Sequence, residues 1–170
     1  YDVTPARLLR NMVRLGYRDL IDHYVGMSHH ARLEWEPGGG SFKASLAGGA
    51  INAPCAAWHA DFVSGAKSLG YDVILSLSYE LFDDYCWGDW KQRAEDGSPA
   101  LTGWTPPSAL LSPAHTGAMG YLRAVARAFV GIARDAGAAV KFQVGEPWWW
   151  IMAAGRPCLY DAAAVAAFGG

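Results

Sequence analysis

Two glutamates, two adjacent histidines and a run of tryptophans carry the chemistry that this sequence offers. Residues 140–150 read VKFQVGEPWWW: Val140, Phe142 and Val144 alternate with Lys141 and Gln143, which is strand periodicity, and Gly145 ends the pattern just before Glu146. Pro147 removes a backbone donor and biases Glu146 towards extended backbone, so the carboxylate is presented from a stiff turn. Trp148, Trp149 and Trp150 follow, with more aromatic surface than a turn needs for its own folding. A second carboxylate, Glu80, stands with Ser78 and Tyr79 after the apolar run YDVILSL of residues 71–77. Two carboxyl groups about 5–5.5 Å apart, one protonated and one ionised, are what retaining glycoside hydrolysis requires. Indoles beside Glu146 would raise its pKa by desolvating the charged form, and would also offer faces on which sugar rings stack.

A bland reading fits the same residues. Glu-Pro after a strand is often only a turn, and Glu80 and Glu146 could hydrogen-bond Tyr79, His29 or His30 and shape a cleft without reacting. Neighbouring side chains diverge, so three consecutive tryptophans cannot all face one core, and at least one is expected at a ligand or partner. His29 and His30 follow an apolar stretch at residues 20–27. Adjacent residues point to opposite sides of a strand and no ligand spacing accompanies them, so ligand binding is expected of them and metal binding is not. Ser28, Ser76 and Ser78 lack a nucleophile-elbow sequence, and the glycines at 38–40 lead to no Lys-Ser or Lys-Thr signature, so no cofactor is expected either.

Composition narrows the setting. The 170 residues suffice for one domain, and 52% hydrophobic content is ample for its core. The net charge of -2, without a long basic run, gives no electrostatic attraction to nucleic acid or anionic lipid. Cys55, Cys86 and Cys158 form no CxxC pair and read as buried thiols rather than a zinc site or disulfide framework. No apolar run approaches the ~20 residues of a membrane helix and no leader pattern opens the chain. Tyr1 in place of Met suggests that the natural start lies upstream.

The elements that must position these residues can be read in order. Thr4 and Pro5 suit an N-cap and first helical position, with Leu8, Leu9, Met12, Val13 and Leu15 on one stripe and arginines opposite. Residues 20–27 read as a strand, and residues 34–54 as a glycine-rich, mobile insertion. Residues 56–69 read as a helix stopped by Gly70, and 71–77 as a buried strand. Residues 83–113 are long and irregular, punctuated by Trp87, Trp90, Trp104 and four prolines. Residues 116–136 give the clearest amphipathic helix, stopped by Gly137 before the strand at 140–144, and 161–168 could begin another helix. Strands alternating with helices imply a parallel sheet, and 28–30, 78–80 and 146–150 all fall at its C-terminal edge, where α/β proteins bind ligands.

With those residues in view, the chain resembles a (β/α)8 TIM barrel of the clan that holds many retaining glycoside hydrolases. Their acid/base glutamate ends the fourth strand in Asn-Glu-Pro, matched here by Gly145-Glu146-Pro147, with glycine where the family keeps the asparagine that contacts the sugar 2-hydroxyl. On this resemblance the chain is an α/β domain, a partial glycoside-hydrolase-like barrel of about strands 2 to 4, and residues 1–170 form a single domain cut from a larger one. The family's nucleophile belongs to the seventh strand, leaving Glu80 as the partner this chain could supply. LSLSYELFD, WKQR, TGWTPPSALLSP and FQVGEPWWW are similar, over nearly the whole length, to the barrel domain of bacteriophage tail proteins of the non-contractile tail sheath or gene-transfer-agent type. That resemblance implies a virion component made in the bacterial cytoplasm, with other tail subunits and host polysaccharide as partners, the barrel serving glycan contact or assembly. Three strands cannot close an eight-stranded barrel, so the isolated segment is expected to be unstable or associated.

Overall fold

The computed structural model describes residues 3–26, 28–145 and 149–169. Helix α1, Pro5–Arg14, starts where the cap signal predicts, with the Thr4 hydroxyl accepting from Arg7 N at 3.4 Å. Strand β1, Leu20–Val25, leads to a hairpin of β2, Arg32–Glu36, and β3, Ser41–Ser45. Helix α2, Ala53–Ser68, is capped by Asn52, whose side-chain oxygen accepts from Cys55 N at 2.8 Å. Then come β4, Asp72–Ser78, and β5, Glu80–Phe82, which pairs antiparallel with β6, Ser108–Leu110. Helix α3, Thr116–Asp135, β7, Lys141–Gly145, and α4, Ala162–Phe168, complete the described chain.

The framework is a parallel sheet in the order β1-β4-β7. Tyr24 is in register with Ser76 and Gln143, and Leu77 with Val25 and Val144, so one pleat alternation runs across all three strands. Val73, Leu75 and Leu77 of the central strand, with Ile21 and Val25 of β1, face the helices and join Phe62, Val63, Val125 and Phe129 in the main core. The other set, Leu20, Asp22, Tyr24, Lys141 and Gln143, is exposed, while Ser76 and Ser78 are shielded between the flanking strands. Asp72 and Lys141 form an ion pair of 3.4 Å on that second face. Helices therefore cover one side of the sheet among the described residues, and both outer strands have an unpaired edge.

Two segments are more regular than their composition suggests. The stretch expected to be a mobile glycine-rich insertion contains the β2–β3 hairpin, in which Trp35 and Phe42 are direct partners with rings edge-on at 5.3 Å. The glycines at 38–40 lie in its turn, where Gly38 N and Gly39 N donate to the Glu36 carboxylate. Residues 83–113, which include β6, fold onto β5 around Gln92, which is fully buried, donates from Nε2 to Leu111 O and accepts from Trp150 N at 2.8 Å. A buried amide that satisfies backbone from two distant segments organises a loop that hydropathy alone cannot order.

Candidate functional site

The C-terminal edge of the parallel strands is assembled by β1, β4 and β7 ending side by side, with Ser78 in register with Gly145. Two residues beyond Ser78 the chain enters β5, and Glu80 is 3% exposed there. Its position is fixed from β1: the Ser28 hydroxyl accepts from Phe82 N at 2.8 Å, and Tyr24 OH donates to Glu80 Oε1 at 3.4 Å. Ser28 has φ 62, a left-handed conformation that turns the chain just past β1. The Tyr24 ring lies over the ends of the other strands, and a Cβ built on Gly145 would come within 3.7 Å of it. At Gly26 an added Cβ would sit 2.3 Å from the same ring, so that position must stay bare for Tyr24 to lean across the sheet. Tyr24, which no motif marks, thus ties β1 to Glu80 and reaches the end of β7.

The two histidines divide, although they lie in the turn after β1 and not on the strand itself. His29 is exposed, edge-on to Phe82 at 6.1 Å, whereas His30 is 2% exposed and edge-on to Phe129 at 6.1 Å. Neither ring nitrogen of His30 has a hydrogen-bond partner among the described residues. Burial first, then the neighbouring His59 and His29, hold its pKa down at about 4, so the ring is neutral near pH 7. Tyr79 packs against the core and, with Met119, Leu122 and Phe142, lines a small apolar pocket on the helix side, away from Glu80 and Tyr24. Trp149 is half-buried against Phe168, and Trp150 packs beside Ala94, Ala100, Leu110 and Cys158. Glu146, Pro147 and Trp148 lie outside the described residues.

A further pair of histidines carries no motif. His23 of β1 and His59 of α2 approach to 3.0 Å between their Nε2 atoms. His59 Nδ1 is 2.8 Å from the Cys55 carbonyl, which can only accept, so Nδ1 carries the proton and Nε2 accepts from His23 Nε2–H. Burial, and secondarily His59, lower the pKa of His23 to about 4, and burial lowers that of His59 although the Cys55 carbonyl opposes it. Two neutral rings sharing one proton follow from this. Alternation does the placing: His23 shares the helix-facing side of β1 with Ile21 and Val25, and stacks against Trp58.

The arrangement can hold a carboxylate, a phenol and a neutral imidazole near one sheet edge, and Glu80 is its buried acid. Among the described residues no three His, Cys, Asp or Glu side chains come together in a group able to hold a metal ion, and no helix is long and apolar enough to cross a membrane. A parallel sheet with helices on one face, and with its candidate residues at the strand C-termini, defines a TIM-barrel-like α/β domain. The sequence matches the family described as non-contractile tail sheath protein TIM barrel over residues 1–170, and the chain belongs to that family. No curated protein matches it. The family makes the chain a phage tail sheath domain, a component of the virion tail whose partners are other tail subunits.

Proposed function

We propose that the domain is a structural part of the phage tail whose glycoside-hydrolase-like barrel has been turned to assembly and to contact with host polysaccharide. The observation that carries this reading is the mouth itself. Glu80 is held by Tyr24, and the Tyr24 ring covers Gly145, the position where hydrolases of the resembling clan keep an asparagine for the sugar. A half-exposed tyrosine tied to the buried acid suits a retained scaffold better than a turnover site. In this reading Glu146 and Glu80 are the residues a catalytic ancestor would have used, and His29, Trp148 and Trp149 supply contact surface around them, while Tyr79 and Trp150, expected there too, serve packing instead. His30, 2% exposed and packed against Phe129, is withdrawn from that surface.

Residues 1–170 are further proposed to be a segment of a larger (β/α)8 barrel. Support comes from the two unpaired sheet edges and the polar, uncovered face, which further βα units would close. The test uses the full-length protein, assayed for incorporation into labelled tails, for binding to host surface polysaccharide and for release of chromogenic glycosides. Incorporation and binding without release are expected. Release that disappears in Glu146→Gln would instead establish a retaining hydrolase, and failure to enter tails or bind polysaccharide would overturn the proposal.

A further inference from the structure

The outer face of α1 and a groove elsewhere on the domain are chemically matched. Arg7, Arg10 and Arg14 fall at i, i+3 and i+7, on one face of α1, and all three are exposed. Residues 5–18 contain four arginines and no acid. Arg18 is taken up by the carbonyls of Val13 and Tyr17, but no ion pair among the described residues involves Arg7, Arg10 or Arg14. The buried side of the same helix is spent on α2 through Leu9 and its neighbours, so the arginine ribbon contributes nothing to the core.

The groove lies where the β2–β3 hairpin, the 87–90 turn and the start of α3 meet. Glu34 and Asp89 line it together with the rings of Trp87, Trp90 and Tyr121, and no lysine or arginine does. Trp90 is 5.5 Å from Tyr121 and 6.4 Å from Trp87 between ring centroids, the rings tilted to one another; Tyr121 is buried beneath, and the half-buried Trp87 and Trp90 present the aromatic surface. The Ser45 hydroxyl donates to Glu34 Oε2 at 2.7 Å, which orients that carboxylate, and Asp89, with His115 Nε2 at 3.3 Å, remains 71% exposed. Aromatic faces flanked by carboxylates are the surroundings a guanidinium prefers, because it stacks flat while its N–H fork engages the oxygens.

We infer that the groove receives the arginine face of α1 from a second copy of this chain. The charge complementarity names the occupant, and the assembly role proposed above supplies the setting on which the inference rests. Donor and acceptor are different surfaces, so the contact is heterologous and leaves each copy with one unused half, the geometry that propagates into rings or helical sleeves.

Sedimentation of the full-length protein tests this with Arg7→Gln/Arg10→Gln/Arg14→Gln as one variant and Glu34→Gln/Asp89→Asn as another. Each variant alone should self-associate at least tenfold more weakly than the wild type, and wild-type association should weaken as salt is raised. An equimolar mixture should form one-to-one pairs that grow no further, since each partner retains the half the other has lost. That pairing also shows that both variants are folded. A mixture no more associated than its components, or a loss confined to the arginine variant, as expected if α1 meets an anionic surface, would overturn the inference. Tails that assemble normally from either variant would sink it while leaving the sheath role intact, whereas wild-type protein that never enters tails would sink the role itself.

Discussion

On the helix side of the parallel sheet, Ile21, Val25, Val73, Leu75 and Leu77 are buried against α2 and α3; on the other side the same strands present Asp22, Tyr24, Lys141 and Gln143 to solvent, with Ser76 and Ser78 shielded between them. The first face is closed by apolar packing, and even its histidines are neutral and desolvated. The second is largely polar, Leu20 aside, and Tyr24, the one aromatic ring on it among the described residues, donates to Glu80. The contrast separates what holds the domain together from what it presents. Substitutions on the helix side should register as stability, and those on the open side as changes in contact or recognition.

The largest effect is expected at Phe129, fully buried on α3 against His30 and His59. Phe129→Ala removes a core ring and should cost about 3–5 kcal/mol in equilibrium denaturation, whereas Gln143→Ala on the open face should stay within about 0.5 kcal/mol. Similar losses at the two positions would break the division of faces.

Acid should sharpen it next. The folded pKa of His30 is about 4 against 6.5 in the ordinary state, so the unfolded chain binds more protons between those values. His30 therefore contributes stability that is fully present above about pH 6.5 and is lost as pH falls from there to about 4. The loss is at most roughly 3 kcal/mol for this ring. His23, lowered to about 4 by burial and by His59, acts in the same direction. Melting curves at pH 7 and 4.5 should show a steep fall for the wild type and a shallower one for His30→Leu; equal falls would remove the histidines from the account of acid sensitivity.

The smallest effect concerns Tyr24. Tyr24→Phe deletes one long hydrogen bond to Glu80 and should change stability by no more than about 1 kcal/mol. It should nevertheless alter polysaccharide binding by the full-length protein, because the ring would no longer be fixed to the acid. A variant that loses several kcal/mol with unchanged binding would move Tyr24 to the structural side of the comparison.

Much of the framework is legible in the chain. Thr4-Pro5 announces α1, the 3.6-residue stripe in 116–136 gives α3, and the β-rich runs at 71–77 and 140–144 give β4 and β7 within a residue or so of Asp72–Ser78 and Lys141–Gly145. The start of α2 was less so: Asn52 and Pro54 carry cap and first-turn chemistry, yet the apolar spacing that draws attention begins later, at Ala56. The β2–β3 hairpin is hard to see in the sequence because glycines dominate its turn, although Leu33 and Trp35 alternate along β2 and Trp35 pairs with Phe42 of β3. For the site, Glu80, His29 and His30 could be placed at strand ends by counting, since the C-terminal edge follows from βα alternation alone.

By itself, then, the sequence determined the alternation of helices and strands and the edge at which Glu80, His29 and His30 lie, because those follow from local periodicities of 2 and 3.6 residues. Only the tertiary structure decided that Tyr24 crosses to Glu80, that His23 and His59 share a proton and that Gln92 ties residues 83–113 to Trp150. Each of those contacts joins residues 36 or more positions apart. The reason is physical: such a meeting depends on strand register and on the seating of helices against the sheet, and no local pattern of side chains encodes either.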